Sequence, residues 1–461
     1  MKRNRLFIVL SVLLLALLSG TVPVAALTAE PRLEAEAAIL IDAVTGEVLY
    51  EKQAGHAMYP ASTTKMITCL LALEQLDPEA VITVGASVPK TEGNSVDLKE
   101  GEEVRVLDLL YAIMTESAND GAQALALAIS GNAEEFALLM NERAVECGAT
   151  DTNFVNAHGL HDPLHVSTAA DLARIASVCM ENELFRTLVS TSQYRMAATN
   201  KSGPRNFTST NRLLWDEQDK TRIYVNGVLR HCKYPDAIGI KTGYTSHALG
   251  CLVSAATRDS TTLIAVVLKS SDLGRFADSI ALLDWGFENY KTVHVMEENT
   301  PLGTIKVRRG AVNKVEAVAG RLIAGTVPVE ASESVLTTQV TLEPSVRAPI
   351  LTGQKLGEIE LLEGGTRVAV FPIVAASDVE EGGWLSVFGI QDATAAVIKK
   401  IVRIVLTGAF ILLAAYIVVK RREVRRKKQE RARQIQEKRA REEVRRREWD
   451  EKYESRYWDD R

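Results

Sequence analysis

The stretch from Ala237 to Ser270, AIGIKTGYTSHALGCLVSAATRDSTTLIAVVLKS, decides the fold. It divides into three apolar runs, AIGIKTGYT, LGCLVSAATR and TTLIAVVLKS, with gaps of turn size between them, which is the signal of consecutive strands. Working outward, residues 37–53 (AAILIDAVTGEVLYEKQ) place two further apolar runs around Asp42-Ala43-Val44-Thr45-Gly46, a strand–turn–strand pattern. Between these ends the apolar spacing is helical from Thr64 to Leu76, Leu107 to Met114, Ala122 to Ile129 and Ala133 to Cys147. A helix from Arg275 to Asn289 closes the segment. One sheet therefore takes strands from both ends of the segment, with helices between, an α/β layout rather than a repeating βαβ array. After Tyr290, short β-rich runs (TVHVM, GTIKVRRG, VPVEA, LTTQVTLE, GEIELLEGG, TRVAVFPIVA) punctuated by Gly and Pro predict a separate all-β module over 292–388.

The 461 residues are enough for two or three domains, and 46% apolar with 25% charged residues excludes a disordered, collagen-like or disulfide-stapled chain. The net charge of −5 conceals a split. From Lys420 to Arg461 there are 18 Lys and Arg against 11 Asp and Glu, whereas the preceding residues hold 36 against 48. Two hydrophobic segments account for it. Lys2, Arg3 and Arg5 precede an apolar run from Leu6 to Leu18, followed by small residues at Val24-Ala25-Ala26, the pattern of a signal peptide over 1–26. The second run, 401–419, is broken only by Arg403 and nearly crosses a ~30 Å hydrocarbon core at about 1.5 Å per residue. Lys420, Arg421, Arg422, Arg425, Arg426, Lys427 and Lys428 follow it directly, so the positive-inside rule puts the tail 420–461 in the cytoplasm and the body outside. The tail's mixed charge reads as a solvated helix near anionic headgroups and argues against nucleic acid as a partner. Five cysteines, none in a C-x-x-C pair, leave at least one thiol unpaired.

Three short patterns carry chemistry. Ser62-Thr63-Thr64-Lys65 lies where Tyr59-Pro60-Ala61 gives way to a helix. Three residues apart on a helix, a hydroxyl and an amine share one face, and a lysine deprotonated by burial and neighbouring positive charge can take the proton of a serine nucleophile. Ser87-Val88-Pro89-Lys90 fits the same spacing, but Pro89 speaks against a helix start. Ser117-Ala118-Asn119 sits between two predicted helices, where the hydroxyl can relay a proton and the amide can grip a substrate amide; Ser209-Thr210-Asn211 matches as well. Lys241-Thr242-Gly243, inside a predicted strand, offers an ammonium and a hydroxyl to a carboxylate, while the missing Cβ of Gly243 leaves the strand edge open to substrate.

In this order, S-x-x-K, S-x-N and K-T-G resemble the serine-type D-alanyl-D-alanine carboxypeptidases of the low-molecular-mass penicillin-binding protein family. The likeness extends through YPASTTKMIT, TESANDGAQALA, NFVNAHGLHDPLHVSTAADLA, TNRLLW, GIKTGYTSHALGCLVSAATRD and GRFADSIALLDWGF. The resemblance implies a penicillin-binding-protein-like catalytic domain over 33–290, an antiparallel sheet flanked by helices, followed by a small β-sandwich. It implies removal of the terminal D-alanine from peptidoglycan stem pentapeptides and acylation by β-lactams. Ser62 would form the acyl-enzyme, Lys65 would be its base and Ser117 would pass the proton to the leaving group. Asn119 would hold the peptide amide, and Lys241, Thr242 and Arg275 would bind the terminal carboxylate. The N–H groups of Ser62 and Tyr244 would stabilise the oxyanion, and His158 would border the site. Nucleophile, base and carboxylate clamp are all side chains, so no cofactor is called for. Tyr244 stands where some members have His, Ala248-Leu249-Gly250 where the family often has Ala-Gly, and a spanning helix replaces the usual amphipathic anchor.

Three rival readings fit parts of the sequence. A class A β-lactamase would carry S-D-N and an E-x-x-x-N between Asn153 and Ala173, and this chain has neither. A non-catalytic penicillin-binding sensor would use the span and tail, yet the motif set is intact and no signalling domain follows Val419. A metal peptidase would draw on His158, His161, Asp162 and His165, but Gly159 and Pro163 oppose the continuous helix that such spacing needs.

Overall fold

The computed structural model describes residues 28–383, 386 and 391–457. The signal-peptide reading of 1–26 therefore lies outside the described residues.

The chain packs as two units, of which the first holds residues up to 300 with 321–339 and 359–371. Its centre is a five-stranded antiparallel sheet of β1 (Ala37–Asp42), β2 (Val48–Lys52), β3 (Ala237–Thr245), β4 (Leu249–Arg258) and β5 (Thr261–Ser270), in the spatial order β2-β1-β5-β4-β3. Strand side chains alternate between faces. Ile39 and Ile41 of β1 with Ile264, Val266 and Leu268 of β5 enter one core; Ala38 and Leu40 with Leu263, Ala265 and Val267 enter the other. Both faces are covered, which is why these strands read as unbroken apolar runs rather than apolar–polar alternation.

The larger core lies under helices α1 (Lys65–Gln75), α2 (Val106–Thr115), α3 (Asn119–Ser130), α4 (Ala133–Glu146), α5 (Ala169–Glu181) and α6 (Glu183–Ser190); α7 (Gly274–Asn289) covers the opposite face through Phe276, Ile280, Leu283 and Trp285. Helix α3 begins at Asn119, three residues before the expected start, and turns Asn119 and Asp120 inward. Helices α5 and α6 were not anticipated, although both carry capping signals. Thr168 accepts from the Asp171 N–H at 3.0 Å and Asn182 from the Phe185 N–H at 3.0 Å. All five cysteines are buried and free.

Beyond Tyr290 the chain is β-rich as expected, with strands Tyr290–Met296, Pro301–Arg308, Leu336–Leu342, Lys355–Glu363 and Thr366–Ala375. The run read as VPVEA begins earlier, at Ile323–Pro328, and Lys314–Ala319 and Ser345–Arg347 are strands the pattern did not reveal. In the second unit Pro301–Arg308 pairs antiparallel with Lys314–Ala319 and parallel with Ser345–Arg347.

The same unit ends in helix α8 (Asp392–Tyr457), 66 residues or about 100 Å at 1.5 Å per residue. It contains an apolar stretch long enough to cross a membrane, and every side chain from 401 to 419 is exposed. The run is therefore no buried core helix. The basic residues after the apolar stretch continue the same helix to Tyr457.

Ile264 is fully buried within the larger apolar core. Ile264→Ala should cost about 2–5 kcal/mol, seen as a lowered thermal midpoint of the tryptophan-reported transition; an unchanged midpoint would contradict the two-faced sheet.

Candidate active site

A 3₁₀ turn, Ala61–Thr64, feeds directly into α1 and carries Ser62. Ala61 adopts a left-handed φ of 49°, a conformation that needs support in a residue with a Cβ. Neighbouring bonds supply it. The Val155 N–H donates to His165 Nδ1 at 3.0 Å, so His165 Nε2 carries the proton and donates to Thr64 Oγ1 at 2.8 Å, which donates to the Ala61 carbonyl at 2.8 Å. Burial pulls His165 down to about 4, which keeps this chain of bonds intact at neutral pH.

Three residues on, Lys65 is fully buried. Its Nζ lies 3.0 Å from Ser62 Oγ, 2.7 Å from Asn119 Oδ1 and 2.7 Å from the His158 carbonyl. Burial, with the charge of Lys241 adding to it and Asp120 opposing, holds this amine far below the usual lysine range. A neutral amine has two N–H donors and one lone pair. Asn119 Oδ1 and the His158 carbonyl can only accept, so they take the two hydrogens, and the lone pair remains for the hydroxyl of Ser62.

The second motif is held by a loop that sequence reasoning missed. Asn119 donates from its backbone to Asn94 O at 2.6 Å and from Nδ2 to Glu92 O at 2.6 Å. The buried Asp120 carboxylate receives Ser95 Oγ at 2.7 Å and the Val96 and Leu98 N–H groups at 3.2 and 3.0 Å. Ser117, at φ 60°, makes no hydrogen bond among the described residues and faces the cleft. An Asn-Asp pair after a serine gave the only hint of this anchoring.

The third motif lies on β3, the sheet edge, with Lys241 paired to Val253 and Gly243 to Cys251. A Cβ at Gly243 would stand 3.0 Å from both Pro60 O and Ser62 N, so glycine lets the strand close onto the nucleophile's own backbone. Arg275, in the first turn of α7, donates to Gly243 O at 2.8 Å and pairs with Asp272 at 2.6 Å. Thr242 Oγ1 lies 2.6 Å from Thr210 Oγ1, a partner outside the motifs. Lys241 is fully buried and donates to Thr242 O; burial, then Arg275, pulls it down to about 7.

Ser62, Ser117, Asn119, Thr242, Gly243, Tyr244 and Arg275 thus line one cleft of about 210 Å³, with Lys65 and Lys241 behind it. Gly159, at φ 83°, backs it as well, since a Cβ there would fall 1.9 Å from Ala61 O. The competing matches go elsewhere. Lys90 is exposed at the end of a 3₁₀ turn, and Asn211 caps the turn at Leu213. His158 accepts the Leu160 N–H, His161 stacks on His247 with centroids 3.7 Å apart, and no three His, Cys, Asp or Glu among the described residues are grouped to hold a metal.

A serine at a helix start with a buried amine as its partner, on an antiparallel sheet with helices on both faces, describes a serine acyl-transfer hydrolase. Family models narrow this. One described as D-alanyl-D-alanine carboxypeptidase matches residues 24–272, and one described as penicillin-binding protein 5, C-terminal domain, matches 290–381. The chain belongs to the D-alanyl-D-alanine carboxypeptidase family of penicillin-binding serine peptidases, with its C-terminal β-sandwich domain. It is 30% identical over 366 residues to the D-alanyl-D-alanine carboxypeptidase DacF of Bacillus subtilis, covering 78% of this chain and 89% of that one. It is 32% identical to DacC of Escherichia coli, covering 77% and 86%. The crystal structure of penicillin binding protein 5 from Haemophilus influenzae superposes with a TM-score of 0.60 at 29% identity, over 77% of this chain and all of that one. The family acts on peptidoglycan peptides and binds β-lactams.

Two outcomes test this geometry. Gly159→Ala should slow labelling by a fluorescent penicillin at least tenfold, because the Ala61–Ser62 backbone must move; wild-type labelling would contradict the close approach. Lys241 holds fewer protons folded than unfolded between about pH 7 and its ordinary range. Stability must therefore rise with pH across that window, by roughly 1.4 kcal/mol per pH unit at most. The melting midpoint of the wild type should climb from pH 7 to 9 relative to Lys241→Met, and parallel curves would refute the depressed value.

Proposed function

We propose that this protein is a membrane-anchored D,D-carboxypeptidase that releases the terminal D-alanine of peptidoglycan stem pentapeptides through an acyl-enzyme on Ser62. The observation that carries the reading is the fully buried Lys65 with Nζ 3.0 Å from Ser62 Oγ, its affinity for a proton lowered first by burial and then by Lys241. The Ser62 proton moves to the Lys65 lone pair as Oγ bonds to the scissile carbonyl carbon. Negative charge builds on the carbonyl oxygen, facing the N–H groups of Ser62 and Tyr244. The C–N bond then breaks as the proton held on Lys65 is relayed through Ser117 to the departing D-alanine amine, and water, giving its proton to the regenerated Lys65, later cleaves the ester and returns the hydrogen to Ser62 Oγ. Asn119 orients the substrate amide, and Thr242, Arg275 and the field of Lys241 hold the terminal carboxylate. A β-lactam enters the same path and stops at the ester.

The domain scheme proposed is a signal peptide over 1–26, a catalytic domain over 33–290, an all-β domain over 292–388, a span at 401–419 and a cytoplasmic tail at 420–461. The basic cluster from Lys420 to Lys428 supports this orientation, which leaves the cleft on the outer side of the membrane.

Full-length protein in detergent, treated with a fluorescent penicillin, should carry one adduct on Ser62 by peptide mass mapping, and Ser62→Ala should carry none. D-alanine release from a pentapeptide should fall in the same variant by at least three orders of magnitude. An adduct that persists in Ser62→Ala would overturn the assignment.

A further inference from the structure

The second unit carries an unbalanced charge pattern at the end from which α8 departs. Lys306 lies directly opposite Lys314 across the antiparallel strand pair, and Arg308 opposite Arg347 across the parallel one. Residues two apart on a strand share a face, so these four cations form one cluster on the sheet, and like charges in directly opposite positions repel. All four are exposed, and none has an ion-pair partner among the described residues. The intervening Ile305, Val307, Val315 and Val346 are buried.

Arg309, at φ 59°, opens a turn that is tied to the helix. The Asp392 N–H donates to Ala311 O at 3.1 Å, and Gln391 Nε2 donates to Asn313 Oδ1 at 2.5 Å. Val312, in the same turn, is 47% exposed. Alongside, the Ala348 N–H donates to Arg308 O at 3.0 Å, Ile350 pairs with Val379, and the next residue, Leu351, is 66% exposed. Single exposed apolar residues are ordinary on any surface. Here two of them accompany a cationic cluster at the point where the chain turns into its apolar helix.

From Asp392 to residue 401 the helix rises about 14 Å, passing Lys399 and Lys400. The headgroup layer is roughly 5–8 Å deep on each side of the hydrocarbon, which leaves a gap of roughly 6–9 Å between helix start and lipid phosphates. That gap is close to the Debye length of about 8 Å at physiological salt, and an extended arginine bridges it. The acids at this end, Asp378, Glu380, Glu381 and Asp392, are outnumbered by the five cations of the sheet and turn together with Lys399 and Lys400. Two of those acids already accept backbone N–H groups, Asp378 from Thr352 and Asp392 from Gly383.

We infer that this end of the second unit, the Lys306–Arg309 strand end with Lys314, Arg347 and the two apolar tips, docks on anionic phospholipid headgroups of the membrane that α8 enters. Repulsion within the cluster is relieved when lipid phosphates lie between the cations. The docking rests on the reading of 401–419 as a span.

The test places the full chain in nanodiscs of phosphatidylcholine alone or of an equal mixture with phosphatidylglycerol, and follows acetylation of Lys306 and Lys314 by an active ester with mass spectrometry. Both lysines should react about fivefold more slowly in the mixed discs, and the difference should vanish at about 1 M salt, where the Debye length is about 3 Å. In Arg308→Gln/Arg309→Gln/Arg347→Gln the difference should fall to within twofold. The melting midpoint of that variant should be no lower than the wild type's, because a repelling pair is gone. Equal reactivity in the two discs, or protection that survives the triple substitution, would overturn the docking. So would protection by soluble polyphosphate with none from phosphatidylglycerol, which would assign the face to a polyanion away from the membrane. Failure of the chain to enter either disc would remove the span, and the docking with it.

Discussion

Everything near the cleft depends on keeping one amine uncharged. Lys65 could gain a proton from water if water reached it, and the protein's response is complete burial between two acceptors and a second buried lysine. Desolvation of an ammonium is costly enough to move its equilibrium by several pH units. In the mechanism proposed above, that expense falls on folding stability and keeps a lone pair of Lys65 for Ser62 Oγ, 3.0 Å away. The acceptors are fixed in turn. Asn119 is clamped by the carbonyls of Glu92 and Asn94, and Asn156 Oδ1 accepts the His158 and Gly159 N–H groups at 3.3 and 2.7 Å, which sets the turn whose carbonyl faces Lys65.

The sheet supplies the other wall because of where it ends. Strand β3 is an edge, so one side of Lys241-Thr242-Gly243 has no neighbouring strand, and the glycine brings that side against Ser62. Arg275 reaches from the first turn of α7, on one face of the sheet, to brace Gly243 O. Two cores on opposite faces keep the strand and the helix start in register.

The parts visible in the sequence were those with local signatures. The five strands of the central sheet announced themselves as apolar runs between turn residues, and the three motifs came with helix-start and strand contexts that located Ser62 and Gly243. Fold and family followed from that order. What stayed hidden was non-local. Nothing near Lys65 in the sequence indicates that its second and third contacts come from residues 119 and 158. The anchoring of residues 92–98 on Asp120, and the Thr210–Thr242 contact, likewise join positions tens of residues apart. Helix α5 was missed for another reason, since its Thr168/Asp171 capping signal was present but went unused. The closeness of Gly243 to the Pro60–Ser62 backbone was not legible either, because a glycine shows that something comes close, not what.

The charge state of Lys65 can be read directly. In full-length protein labelled with ¹³C at lysine Cε and held in detergent, the resonance lost in Lys65→Arg reports the titration of this one amine. A midpoint far below the ordinary lysine range, with the resonance in its neutral position at pH 7.5, is the expected result. A titration near 10, like that of an exposed lysine, would mean that Ser62 has no base beside it and would remove the foundation of the mechanism.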